Sequence, residues 1–341
     1  MTTHRLRLHA ATLELPTTTD VLSAAVAEGR LRGRHPDVDP ATTLPVTGGS
    51  PVDLAAAAAR TVLARTGHPA AEIEDLYYAW TYFQGAHFWS PAHALADRAG
   101  LSANPIGLQQ MCNGGAAAVH LADRVARAGA PFTALICTGD AFRGPGFDRW
   151  SGDYGVLYGD AGTAVLAVSS AHPAPVGGPA STLVSLHTGA LPHLESMHRP
   201  VDAPADVAPA GSWPVDVQAT KRRYLQEHGS EALAEAMRGM VGKLLAKVLS
   251  DLAGQDLTAN GKVYLPRLMN ATLDSLYAPA VAALTDLPQR RLGDATGHLG
   301  AGDLIANLAD AQASANAPRI DIFISAGAGF TISIAALESF S

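Results

Sequence analysis

An α/β fold of two similar halves is predicted by three features of the sequence. Its 341 residues exceed what a single hydrophobic core usually spans. Apolar residues make up 48% and charged residues only 16%, a ratio that suits extensive burial and opposes disorder. Strand-then-helix units recur along the chain without any short repeat, which predicts a duplicated α/β core with halves at residues 1–170 and 171–341.

The elements follow in order. Residues 50–67, "SPVDLAAAAARTVLARTG", predict a helix: Ser50 caps it, Pro51 fits the first turn and Gly67 ends it. "IEDLYYAWTYF" (73–83) carries a strand, "AHALADRAGL" (92–101) a short helix, and "ANPIGLQQM" (103–111) a returning strand. Cys112 follows, and "GAAAVHLADRVARAG" (115–129) predicts an alanine-rich helix. "FTALICTGDA" (132–141) and "YGVLYGDAGTAVLAVSS" (154–170) are apolar runs expected as buried strands.

"AHPAPVGGPASTL" (171–183) is read as a crossover between halves. "HRPVDAPADVAPAGSWPVD" (198–216), rich in Pro, Ala and Asp, is read as a surface excursion over the site. In the second half, "EALAEAMRGMVGKLLAKVLSDLAG" (231–254) predicts an amphipathic helix and "KVYLPRLMN" (262–270) a strand ending at a loop. "LDSLYAPAVAAL" (273–284) predicts a helix, and "GDATGHLGAGDLIANLADA" (293–311) a loop entering another. "RIDIFISAGAGFTISIAALE" (319–338) predicts a glycine-interrupted strand pair.

Charge and cysteine usage narrow the function. A net charge of -7 gives no support to nucleic-acid or acidic-membrane binding. It also repels an acidic carrier protein, so docking one needs a local basic patch. Lys221, Arg222 and Arg223 are either that patch, for carrier protein or coenzyme A phosphates, or a solvated helix face. The N-terminus lacks the apolar run of a signal peptide, and no stretch approaches a membrane span. Two cysteines are too few for a disulfide scaffold, so free thiols in a cytoplasmic setting are expected. Thirteen histidines without HExxH or paired spacing predict no metal site, and no permanently bound cofactor is expected.

The two cysteines differ in setting. Cys137 lies inside an apolar strand and is expected to pack as a small hydrophobe. Cys112 precedes two glycines at the start of a helix, where backbone N–H groups favour a thiolate nucleophile. His120, two turns into that helix, is expected to be a packed core histidine.

These segments resemble the thiolase superfamily, and most closely β-ketoacyl-ACP synthase III and its relatives. "LQQMCNGG" resembles the family's nucleophile segment and "YGDAGTAVLA" its Phe-Gly-Asp-Gly-Ala-Gly-Ala block. "YLPRLMN" stands where the family has Pro-His-x-x-Asn, "TGHLGAGD" where it has Gly-Asn-x-Ser, and "AGAGFTIS" matches its glycine-rich C-terminal strand. The Thr-Arg-Thr-Gly block is poorly kept, in "LPVTGGSP".

The resemblance implies a five-layered αβαβα fold, a homodimer, and Cys112 loaded from an acyl-CoA or acyl-ACP donor. It implies an oxyanion hole from the N–H groups of Cys112 and Gly329, and Asn270 beside the pantetheine arm. It places the run holding Phe83, His87 and Phe88 across the dimer axis, lining the partner's acyl pocket. It also implies that "YGDAGTA" packs behind the active site.

Two departures bear on the chemistry. Arg267 replaces the family's His and His298 its Asn, removing the pair that stabilises an enolate. His298 beside a thiolate is equipped to take a proton from an alcohol, with Asp303 or Asp294 as its orienter and Asp303 preferred. That is similar to the ester-forming acyltransferases of antibiotic pathways, some of which move malonyl without decarboxylation. Arg267 either grips a malonyl carboxylate or forms a structural ion pair.

The expected reaction passes an acyl group, malonyl among the candidates, through Cys112 to a hydroxyl of a glycosylated or polyketide acceptor. A decarboxylative condensing enzyme and a non-catalytic acyl-binding subunit are the alternatives.

Overall fold

Ten strands form one continuous mixed sheet in the computed structural model, which describes residues 5–33, 36–172, 176–200, 215–255 and 260–340. The first five are β1 (Leu6–Glu14), β2 (Asp75–Ala79), β3 (Asn104–Leu108), β4 (Thr133–Asp140) and β5 (Ala161–Ser169). The second five are β6 (Ala180–Ala190), β7 (Val263–Tyr264), β8 (Gln289–Arg290), β9 (Arg319–Gly327) and β10 (Thr331–Phe340). The principal helices are α1 (Pro51–Thr66), α2 (Pro91–Ala99), α3 (Gly114–Arg127), α4 (Val217–His228), α5 (Ser230–Asp251), α6 (Asn270–Leu276) and α7 (Asp303–Ala313).

The sheet runs β8-β7-β9-β10-β6-β1-β5-β4-β2-β3. Its two sides repeat one pattern. β2 pairs in parallel with β3 and β4, β4 is antiparallel to β5, and β5 to β1. β7 likewise pairs in parallel with β8 and β9, β9 is antiparallel to β10, and β10 to β6. The sides meet where β1 pairs with β6, through Arg7–Thr182, Leu8–Ser181 and His9–Ala180.

Burial divides the molecule into five layers. α1 and α2 cover one face of the first side through Val52, Ala55, Leu95, Leu135 and Leu166. α5, with Met237, Val241 and Leu245, covers the outer face of the second side through Val263, Ile322 and Ile334. Between the two sides lie α3 and α7, where Ala118, Ala122, Ile305 and Leu308 pack with Ile136, Val165, Phe323 and Ala335. The small residues of α3 let this middle layer approach both sides. This is the thiolase-like αβαβα architecture.

Helix ends follow local chemistry. Ser50 Oγ accepts from the Val52 N–H at 3.2 Å, Pro51 opens α1, and Gly67 closes it at φ +64°. Gly162 is needed for a close approach: a Cβ there would lie 2.2 Å from the backbone carbon of Leu54 in α1.

Several expectations need correction. β1 lies at the centre of the sheet, although no strand is signalled in "RLRLHAATLE". β6 occupies the end of the run read as a crossover; residues 173–175 of that run lie outside the described residues. The strand expected over 154–170 begins only at Ala161, because Gly155 at φ +78° and hydrogen bonds to Arg149 and His298 hold 155–159 as a loop. The 262–270 strand shortens to Val263–Tyr264, and the 273–284 helix divides into α6 and Ala278–Ala282 at Tyr277. His120 is half-buried instead of packed in the core, and its Nε2 accepts from Arg124 Nε at 3.0 Å. The surface excursion falls largely on 201–214, outside the described residues. Among the described residues, no helix is long and apolar enough to cross a membrane.

At the seam, β1 changes register between His9 and Thr12, with Ala10 at φ +52°. Gln312 of α7 fills the gap: its Oε1 accepts from the Ala11 N–H at 2.8 Å, and its Nε2 donates to Leu8 O and Ser181 Oγ. His9 is 4% exposed there. Burial, and then the positive charge of Arg7, push its imidazole down to about 4 from 6.5.

Folded His9 therefore stays neutral where the unfolded chain takes up a proton. Stability is predicted to fall as pH drops from 6.5 toward 4, by about 3 kcal/mol from this residue. Urea unfolding across that range should show the loss, and His9→Phe should flatten it.

Candidate active site

The site begins at a tight turn between β3 and α3. Met111 adopts φ +49°, an unusual angle for a side chain of its size, immediately before Cys112. Hydrogen bonds from Asn113 N to Gln110 O and from Gly114 N to Met111 O close the turn. Asn113 Nδ2 ties it to Gln110 Oε1 at 2.7 Å and to Ser333 Oγ of β10 at 3.0 Å. Cys112 is thus held in the shell of the protein, 8% exposed, at the head of α3. A Cβ on Gly115 would fall 2.6 Å from the Ala301 carbonyl, so this glycine brings α3 directly against the loop that carries His298.

That loop is clamped on both sides. The His298 N–H donates to Leu157 O at 2.7 Å, and its carbonyl accepts from Gly159 N at 3.0 Å. Ala301 N donates to Asp140 Oδ2, and Asp140 also accepts from the N–H groups of Thr81 and Tyr82. Burial raises the Asp140 carboxyl to about 7 despite those three donors.

His298 is 3% exposed and sits beside Asp303 and Cys112. Its Nδ1 lies 2.7 Å from Asp303 Oδ2, and the Cys112 sulfur is near enough to strengthen the ring's hold on its proton. With Nδ1 occupied by the carboxylate, Nε2 is the nitrogen left for sulfur. Asp303 is fixed in turn: Oδ1 accepts from Leu299 N at 2.9 Å, and Oδ2 from Arg267 N at 2.8 Å.

Burial alone would lower the His298 imidazole. The Asp303 carboxylate and the neighbouring Cys112 sulfur outweigh it and hold the ring well above the ordinary histidine range. Burial would likewise raise the Asp303 carboxyl, but His298 and the Leu299 N–H hold it down.

Two tyrosines stand close by. Tyr158 packs edge-on to His298 at 5.4 Å, and its hydroxyl donates to Asp153 Oδ2 at 2.6 Å. Asp153 Oδ1 pairs with Lys221 Nζ at 2.5 Å. Tyr277, 3% exposed, is pushed up by burial and by the nearby Cys112 and Asp303. Tyr158, Tyr277 and Asp153 carried no pattern in the sequence that set them apart from core residues.

Other expected residues fall elsewhere. Arg267 is not free to grip a substrate carboxylate: Nε donates to Asn307 Oδ1, Nη1 to Thr296 Oγ1, and Nη2 pairs with Asp310. At 2% exposure it is the structural ion pair of the two alternatives. Asp294 bonds Asn270 at 3.3 Å, leaving the His298 contact to Asp303. Asn270 is exposed and, with Asp37, Leu44, Leu157, Asp294 and Gly297, lines a cleft of about 380 Å³ beside the His298 loop.

Gly329 sits in the β9–β10 turn at φ +78° with open space on its Cβ side. The glycine against Cys112 is Gly327, where a Cβ would lie 3.0 Å from Cys112 N and 2.6 Å from Asn113 N. Phe83 is 46% exposed, and His87 and Phe88 also lie on the surface. Lys221 is paired with Asp153, so the three-residue basic patch does not form as a unit. Cys137 is fully buried, and burial pushes its thiol up. Among the described residues, no group of three or more His, Cys, Asp or Glu side chains is arranged to hold a metal ion.

Known proteins place this arrangement. Residues 106–178, which include Cys112, match the model of the 3-oxoacyl-[acyl-carrier-protein (ACP)] synthase III family. No curated protein matches the sequence significantly. Among solved structures, ChlB3, described as an acyltransferase, superposes with a TM-score of 0.83 at 24% identity, over 99% of this chain and 98% of its own. 3-Oxoacyl-(acyl carrier protein) synthase III from Pseudomonas aeruginosa PAO1 gives 0.71 at 20% identity, covering 99% of each chain. AbyA1, a tetronic acid condensing enzyme, gives 0.69 at 19% identity, over 97% of this chain and 99% of its own. These likenesses establish the fold.

The engagement of Arg267 makes a direct prediction. Arg267→Ala should lower stability by about 2–4 kcal/mol, since it empties a buried site and takes a donor from the buried Asn307 Oδ1 and Thr296 Oγ1. Chemical denaturation checks this. Acyl selectivity, measured as relative loading of acetyl and malonyl thioesters, should stay as in the unaltered protein.

Proposed function

We propose that the protein is an acyltransferase that carries an acyl group from a coenzyme A or carrier-protein thioester through Cys112 to a hydroxyl. The observation that carries this reading is the buried His298, hydrogen-bonded to Asp303 and with its proton affinity raised by both Asp303 and the nearby Cys112. ChlB3, described as an acyltransferase, supports it from the side of fold.

The chain's own residues suffice for each step. His298 holds the thiol proton of Cys112, and the sulfur attacks the thioester carbonyl. Charge develops on the carbonyl oxygen, for which the Cys112 N–H and a second N–H from the Gly327–Gly329 turn are the candidate donors. The bond to the donor sulfur breaks, and the leaving thiolate takes the proton from His298. Acylation takes away the Cys112 contribution that raises the imidazole, so its proton affinity drops when a base is needed. Neutral His298 then accepts the proton of an incoming hydroxyl, whose oxygen attacks the acyl-Cys112 carbonyl. Collapse forms the ester and returns sulfur to the protonated ring. Asp303 holds the ring orientation throughout.

A decarboxylating condensation would need hydrogen-bond donors on an enolate, where Arg267 is turned into its own ion pairs. The homodimer, the antibiotic-pathway setting and the glycosylated or polyketide acceptor belong to the same proposal.

Two half-reactions separate the roles. After mixing with an acyl thioester, intact mass should show a covalent adduct on the unaltered protein and none on Cys112→Ala. His298→Ala should still gain the adduct yet lose transfer to an alcohol by about 10²–10⁴-fold. An equal rate of transfer in His298→Ala would refute the assignment. In Asp303→Asn the carboxylate that sustains the raised His298 affinity is lost, and transfer should fall by a similar factor.

A further inference from the structure

Asn113 follows the nucleophile and stands at the N-cap of α3, where an asparagine commonly turns its side chain onto the first free N–H groups of the helix. Here the side chain makes no cap bond. Its amide reaches out of the helix instead: Nδ2 donates to Gln110 Oε1 at 2.7 Å and to Ser333 Oγ at 3.0 Å. Asn113 is fully buried, and its Oδ1 has no hydrogen-bond partner among the described residues. A buried acceptor left unmet opposes folding and calls for another reason to keep the residue. That reason lies in what the two Nδ2 bonds hold.

Both bonds bear on the candidate oxyanion donors. Gln110 begins the tight turn that presents the Cys112 N–H. Ser333 lies in β10, the strand that leaves the Gly327–Gly329 turn, and pairs with Ser325 of β9. Its Oγ is held in turn by Thr188 Oγ1 of β6 at 2.9 Å. The two backbones meet at the same point, since a Cβ on Gly327 would lie 2.6 Å from Asn113 N and 3.0 Å from Cys112 N. Asn113 therefore faces the glycine turn through its backbone and binds the strand behind that turn through its side chain. Donors stabilise an oxyanion only when both are fixed at hydrogen-bond distance from the developing charge.

We infer that Asn113 is a positioning residue for acyl loading: its amide sets the spacing between the Cys112 N–H and the Gly327–Gly329 turn across the two halves of the fold. This rests on the acyl-transfer reading above and assigns the alignment of its two candidate donors to one side chain.

Two reactions of the same sulfur test it. Loading from acetyl-CoA builds negative charge on a carbonyl oxygen, whereas alkylation by iodoacetamide displaces iodide and needs no oxyanion donor. Both are timed by intact mass, with Cys112→Ala as the blank. Asn113→Ala should load roughly 10- to 100-fold more slowly while its alkylation rate stays within about twofold of the unaltered protein at each pH. Ser333→Ala keeps the bond to Gln110 and should slow loading with the same selectivity. The double variant should be no slower than Asn113→Ala, because both changes break one link. Thermal melting reports folding, and Ser333→Ala alone carries the test if Asn113→Ala does not fold. Unchanged loading, an equal fall in both reactions, or losses that add in the double variant would overturn this assignment while leaving acyl transfer intact. Unaltered protein that is alkylated at Cys112 yet loads from neither acetyl-CoA nor malonyl-CoA overturns both readings together.

Discussion

The site depends on one buried contact, the imidazole of His298 held between a carboxylate and a sulfur. Burial by itself would strip the ring of its proton, and only the two flanking partners reverse that tendency. Each neighbour of the contact serves to keep it in place. Leu157 and Gly159 hold the backbone of His298, Leu299 and Arg267 hold Asp303, and Asp140 holds the loop between them. Moving any of these by an ångström would change a charge balance set among buried groups, where the low local dielectric leaves charges weakly screened.

The duplicated architecture explains how the contact is assembled. α3 and α7 occupy equivalent places on the two sides of the sheet and share the middle layer. Cys112 stands just before the first turn of α3, and Asp303 is the first residue of α7. Sulfur and carboxylate therefore come from the entrances of two matched helices, one in each half, and His298 spans the interval. Glycines at 115 and 327 remove the side chains that would keep those entrances apart.

Much of this was legible in the residues. Ser50, Pro51 and Gly67 marked α1 to within a residue because capping is local chemistry. Cys112 stood out by its place at a helix start together with the family resemblance, whereas His298, a lone histidine among glycines, stood out only through the resemblance of "TGHLGAGD" to the synthase III block. β1 and β6 were not legible: one mixes Arg and His with Leu, the other follows a Pro-Gly run, and each is held as a strand from both sides, β1 between β5 and β6 and β6 between β1 and β10. Arg267 carried two readings that spacing could not separate, since its partners Asn307 and Asp310 come from a helix forty residues away. Gly327 and Gly329 are alike in sequence, and only the direction of their missing side chains distinguishes them.

Gln312 at the seam has a consequence of its own. The two halves share three residue pairs there, and one amide group from α7 stitches the bulged strand of the first half to β6 of the second. The same helix bears Asp303 at its opposite end. A single rigid rod of eleven residues thus locks the joint with its tail and aims the carboxylate with its head. The joint and the Asp303–His298 contact therefore depend on one and the same helix, though they lie at its two ends.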